Sequence, residues 1–161
     1  MSWYVRNVRD MKWWDVGPRG FVTELVDDEG PQVGCNLCVL APGNPMAMYH
    51  WEADQEGFLV LAGEALLIVE EEERTLRRWD YFHCPPNVSH TIVGAGSGPC
   101  AILALGARID SVDNENWGGY PYSELAMKHD ASAEEATTDP KVAYARFPSG
   151  TETEFREDWL P

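Results

Sequence analysis

Four side chains of this sequence have the types and spacing to do chemistry together: His50, Glu52 and Glu56 in the stretch His50-Trp51-Glu52-Ala53-Asp54-Gln55-Glu56, and His90 at the end of Pro85-Pro86-Asn87-Val88-Ser89-His90. Two imidazoles and two carboxylates suit iron, manganese, nickel or zinc, whereas magnesium and calcium prefer shells made wholly of oxygen. Iron or manganese is the first expectation, zinc or nickel the second. Residues two apart on a strand point to the same face, so His50 and Glu52 share one side, and His90 must arrive from another strand. With neutral imidazoles, two carboxylates cancel the charge of a divalent cation. A neutral centre of that kind is a weaker Lewis acid than three histidines with one carboxylate, and attracts an anionic substrate less. The alternative keeps only His50, Glu56 and His90 on the metal, a two-histidine, one-carboxylate facial set with open positions, and leaves Glu52 beside it as a general base.

Strand alternation puts Met48 on the inward face of His50 and Glu52, and Met48, Phe58, Phe82 and Ile92 are the expected pocket lining, or the core behind it. His83 and His129 have no place in this set; His129 is expected at the surface. Cys35 and Cys38 have the spacing of a zinc or redox pair but no second pair to complete it, and residues three apart on a strand face opposite sides of the sheet. Together with Cys84 and Cys100 they read as small apolar residues.

The elements that must carry these groups are short. Apolar runs at 33–40, 58–61, 65–69, 81–84, 91–93 and 100–105 are separated by turn residues, among them Pro42-Gly43-Asn44-Pro45, Ala62-Gly63-Glu64, the acidic 70–73 and the glycine-rich 94–99. Many short strands at close, even spacing predict an antiparallel sandwich or barrel. Residues 1–30, rich in tryptophan and with one strand at 21–26, form a segment packed on that barrel; residues 31–107 are the barrel; residues 108–161 are a C-terminal extension. Within the extension, a helical turn is expected at 123–129 and a second short helix from Asp139 as cap with Pro140 at the first position.

The segment 43–94 resembles the two motifs of the cupin superfamily, Gly-x5-His-x-His-x3,4-Glu-x6-Gly and Gly-x5-Pro-x-Gly-x2-His-x3-Asn. His50, Glu56 and Gly63 match the first; Pro85 and His90 match the second. Glu52 stands where the family has its second histidine, Trp79 and Asn87 where it has glycines, and Gly94 where it has asparagine. Asn87 is an understandable exchange, because asparagine tolerates a left-handed backbone better than most residues. The resemblance implies an all-β, double-stranded β-helix (jelly-roll) barrel, a homodimer, and metal positions at His50, Glu52, Glu56 and His90.

On these residues the expected function is a metal-dependent enzyme acting on a small organic molecule, an oxidoreductase of dioxygenase type or an isomerase or lyase. The alternatives are a non-catalytic small-ligand module and a structural barrel with a degenerate site. No basic residue lies between Ala41 and Glu73, a weak argument against a phosphorylated or strongly anionic substrate, and Arg74, Arg77 and Arg78 are candidate anion contacts. With 27 acidic against 12 basic residues the chain carries a formal charge of −15, which repels phosphate backbones and anionic lipid, so nucleic acid and membrane are not expected partners. No apolar run approaches the roughly 20 residues of a membrane span, and a cytoplasmic protein is expected.

Overall fold

A computed structural model describes residues 3–26, 32–109 and 117–159. Twelve strands are present among them: β1 (Trp13–Asp15), β2 (Phe21–Glu24), β3 (Val33–Leu40), β4 (Trp51–Glu52), β5 (Glu56–Ala62), β6 (Glu64–Val69), β7 (Glu72–Arg77), β8 (Tyr81–Cys84), β9 (His90–Ala95), β10 (Cys100–Ala107), β11 (Gly118–Gly119) and β12 (Thr151–Thr153). Two short helices, α1 (Glu124–Met127) and α2 (Pro140–Ala143), lie between the last two strands. Seven strands form one sheet in the order β12-β1-β2-β3-β10-β5-β8, three form another in the order β7-β6-β9, and β4 pairs with β11. All pairings between these strands are antiparallel, which is the jelly-roll barrel expected from the alternating runs.

The barrel core is made by the inward residues of the two larger sheets, including Leu40, Phe58, Val60, Leu67, Ile92 and Ile102. β3 is apolar on both faces because both are covered: Leu40 and Cys38 face inward, while Leu37 and Val39 pack outward with Trp13 and Trp159. The tryptophans of the N-terminal segment divide accordingly, Trp13 being fully buried and Trp3 and Trp14 exposed. Cys35 and Cys38 fall on opposite sides of β3, and all four thiols are free. Burial pushes the Cys38 thiol up to about 12, so it stays protonated.

Turn chemistry fixes the register. Gly63 joins β5 to β6 at φ +72°, and a Cβ there would sit 2.3 Å from the Pro99 carbonyl oxygen, so both backbone and space require glycine. Glu70 and Glu71, both at positive φ, make the two-residue turn between β6 and β7, as expected of the acidic hairpin tip. The extension forms its two helices where they are expected: Asp139 accepts from Lys141 N–H with Pro140 at the first position, and the structure adds a cap at Ser123, whose Oγ accepts from Ala126 N–H. No helix among the described residues is long and apolar enough to cross a membrane.

Candidate metal centre

His50 and His90 meet across an isolated antiparallel bridge, His50 N–H donating to the His90 carbonyl at 3.0 Å and His90 N–H to that of His50 at 2.8 Å. Directly paired residues place their side chains on one face of the sheet, and the ring centroids lie 4.8 Å apart. Glu56 opens β5 opposite Cys84 and Gly106, which brings its carboxylate beneath the same pair. Donor atoms of His50, Glu56 and His90 all lie within 4.8 Å of one another. Glu52, on β4, stands beside this trio with Oε1 3.7 Å from His50 Nε2, and is the more exposed of the two glutamates.

Each imidazole has its Nδ1 committed to the protein. His50 Nδ1 donates to the Met48 carbonyl at 2.7 Å, and His90 Nδ1 to the Val88 carbonyl at 3.1 Å, with Cys84 Sγ 3.3 Å away. These contacts select the Nδ1–H tautomer and leave both Nε2 lone pairs bare. His90 Nε2 is buried with no hydrogen-bond partner, yet Glu56 Oε2 lies 3.3 Å from it. Two acceptors at that separation need a proton or a cation between them.

The electrostatics decide where a proton would sit. Burial, and then the neighbouring His50, hold the His90 imidazole down at about 3, so it stays neutral. Burial, reinforced by the Glu52 charge, pushes the Glu56 carboxyl up to about 8. Without a metal, therefore, Glu56 carries the proton below about pH 8 and faces His90 Nε2 as a donor. A divalent cation can replace that proton, and the donor set fits the replacement: two bare, tautomer-fixed Nε2 atoms, the Glu56 carboxylate, and Glu52 within reach. His50 is likewise lowered by burial, while Glu52 is raised by burial and Asp54 and lowered by Arg108.

Phe58 and Phe82 wall His90, with ring centroids at 5.2 and 5.8 Å, and Ile92 is fully buried in the core behind them. Met48 lies elsewhere. The strand expected to carry it with His50 and Glu52 contains only Trp51–Glu52, so alternation does not reach residue 48, and its side chain packs with Tyr120, Ala133 and Ala143 of the extension. His83 is exposed across β5 from Gly57, and His129 is half-buried against Glu73 at 2.8 Å.

Sequence reasoning missed Arg108. A cavity of about 380 Å³ at the barrel mouth is lined by Asn36, Glu52, Glu56, Arg108 and Trp117 along with backbone of β3 and β10. The Arg108 guanidinium lies over Gly34, where a Cβ would meet Nε at 2.9 Å. Arg74, Arg77 and Arg78, the cations expected as possible anion contacts, are exposed along β7 and just past its end and do not line this cavity. The only signal for Arg108 was its position just past the end of a strand, where loop residues gather at a barrel rim.

A family model described as "Cupin domain" matches residues 36–106, the span that contains every ligand candidate. The cupin likeness in sequence covers this segment, 71 of the 161 residues. Solved cupins share its fold. A sugar phosphate isomerase of the cupin superfamily from Silicibacter pomeroyi is 24% identical over 63% of this chain and 62% of that one, with a TM-score of 0.51. A Cupin 2 conserved barrel domain protein from Salinispora arenicola is 17% identical over 67% of this chain and 89% of that one, TM-score 0.53. A cupin 2 domain-containing protein from Halorhodospira halophila is 16% identical over 69% of this chain and 75% of that one, TM-score 0.54. The chain spans 53% and 62% of two of the solved chains it matches, less than two thirds of either. No curated protein matches it.

Proposed function

We propose that this protein is a metal-dependent enzyme acting on a small organic molecule at the barrel mouth. His50, Glu56 and His90 hold a divalent transition metal, iron or manganese first and zinc or nickel second. The buried, partnerless His90 Nε2 aimed at Glu56 carries this reading. A metal held there supplies Lewis acidity for isomerase or lyase chemistry, or a redox centre for dioxygen chemistry. Glu52 is half-buried at the rim of the trio, and burial with the Asp54 charge raises its carboxyl, which strengthens Oε1 as a base toward a bound substrate. Arg108 places one positive charge in the same cavity, near enough to lower the Glu52 carboxyl, which suits a small ligand with an anionic or strongly polar group. Phe58 and Phe82 exclude water behind His90. The isomerase reading rests on Glu52, because likeness to the Silicibacter pomeroyi protein extends to fold alone.

A second reading has an observation of its own. A protonated Glu56 satisfies His90 without any metal, so the same geometry supports a non-catalytic barrel that binds a small metabolite. Metal content measured by inductively coupled plasma mass spectrometry separates the two, on protein purified without an affinity metal or chelator. The enzyme reading expects near-stoichiometric iron, manganese, nickel or zinc that vanishes in His50→Ala. Retention of that metal in Glu52→Ala assigns Glu52 as the base, and its loss makes Glu52 a ligand. Native protein without metal, even after reconstitution, moves the assignment to the ligand-binding module.

A further inference from the structure

Residues 48–53 hydrogen-bond to the barrel on one edge and to the C-terminal extension on the other. The barrel side is His50 with His90, and Asn87 N–H on the Glu52 carbonyl at 2.8 Å. On the extension side, Met48 N–H donates to Tyr144 Oη at 3.1 Å, Tyr49 N–H donates to the Ala131 carbonyl at 2.5 Å, β4 pairs with β11, and Ala53 N–H donates to the Trp117 carbonyl at 2.7 Å. Four successive attachments therefore fix the segment that bears His50 and Glu52.

The Met48–Tyr49 peptide unit is the junction. Its carbonyl accepts the His50 Nδ1 proton at 2.7 Å, while its N–H, that of Tyr49, is the one bonded to Ala131. Hydrogen bonds in series polarise one another, so donation to Ala131 strengthens the carbonyl as an acceptor for His50. Tyr144 holds the other side of Met48. Its oxygen takes the Met48 N–H, and the Tyr120 hydroxyl bonds to it as well, filling both lone pairs of a phenol. The Tyr144 ring is in turn fixed by Tyr120 edge-on at 5.6 Å, by Phe147 at 6.4 Å and by the Arg19 guanidinium at 4.7 Å. Tyr120 also lies 6.0 Å from the His50 ring.

We infer that Tyr144 is a positioning residue for His50: its hydroxyl on the Met48 N–H and the Ala131 carbonyl on the Tyr49 N–H hold Met48 from both sides, so that the Met48 carbonyl keeps the His50 proton on Nδ1 and His50 presents a bare Nε2 to the centre. The extension is thereby part of the site without touching substrate. This rests on the metal reading above only for its consequence, because the tautomer of His50 can be read without metal.

Two measurements test it, the 15N shifts of the His50 imidazole in chelator-treated protein and Co(II) affinity by chelator competition. Tyr144→Phe should lose the single Nδ1–H signature of His50 and bind Co(II) about 10-fold more weakly, the low end of the 10–100-fold usual for outer-shell partners. Phe147→Leu, which loosens the same ring but leaves the hydroxyl, should lower the thermal midpoint and move neither readout. Should Tyr144→Phe fail to fold, Tyr120→Phe withdraws one partner of that hydroxyl and should shift both readouts in the same direction, by less. Native 15N shifts and native Co(II) affinity in the tyrosine variants overturn the inference. Failure of native protein to bind Co(II) overturns the metal reading alone, and the tautomer measurement then decides the role of Tyr144.

Discussion

Stripped of metal, the centre should give the protein a stability plateau with two limbs, and Glu56→Gln should remove one of them. His90 is held down at about 3 against an ordinary 6.5, so below 6.5 the unfolded chain binds a proton that the folded one refuses, and stability falls as pH drops. Glu56 is pushed up to about 8 against an ordinary 4.5, so its contribution is fully present below 4.5 and is lost as pH rises toward 8. Between 4.5 and 6.5 the slopes from these two groups are equal and opposite and cancel, and the lowered His50 and raised Glu52 likewise oppose each other, so the native profile is close to level. Above 6.5 Glu56 acts alone at about 1.4 kcal/mol per pH unit, a loss of about 2 kcal/mol by pH 8. Glutamine at position 56 cannot ionise. The variant should therefore lack the alkaline limb and, between 4.5 and 6.5, gain stability with rising pH where the native protein is level. Urea unfolding of chelator-treated native and Glu56→Gln protein at half-unit steps from pH 4.5 to 8 measures this. Parallel profiles, or a native protein that gains stability from pH 6.5 to 8, would falsify the placement of the proton on Glu56. Reloading with metal should erase the native alkaline limb, because the cation takes the place of the proton.

Gly63→Ala forces a β-carbon against the Pro99 carbonyl and strains a left-handed backbone; denaturant unfolding should show a loss of about 3 kcal/mol. Trp79 sits at φ +76° with an exposed ring, at the position where the motif it resembles has glycine. Trp79→Asn should raise stability by about 0.5–1 kcal/mol in the same assay, since asparagine accepts that backbone region and only an exposed stacking contact with Arg78 is lost.

The parts of this fold legible in sequence were those in which each strand carries its own evidence. The run 33–40 and the run 81–84 occupy β3 and β8 to the residue, and the expected runs at 58–61, 65–69, 91–93 and 100–105 lie inside β5, β6, β9 and β10. The helical turn within 123–129 and the helix capped by Asp139 were readable because such signals are local. His50, Glu56 and His90 were found by spacing and do converge. What escaped has no local period: β4 and β11 are two residues long, and β12 finds β1 across almost the whole sequence. Arg108 and Tyr144 escaped for the same reason, since their roles exist only once the chain beyond β10 has turned back over the barrel.

The pairing of β12 with β1 also sets a constraint on synthesis. Trp13 is made early, yet its burial is completed by Phe155 and Trp159, whose rings lie 6.0 and 4.8 Å from it. Chains tend to fold from the N-terminus as they emerge from the ribosome, but a nascent chain of this protein would carry an uncovered indole and an open strand edge until residue 159 is added. Premature termination anywhere in the extension would thus leave a barrel already paired internally but marked by exposed tryptophan, a form that quality-control proteases and chaperones can distinguish from the finished molecule.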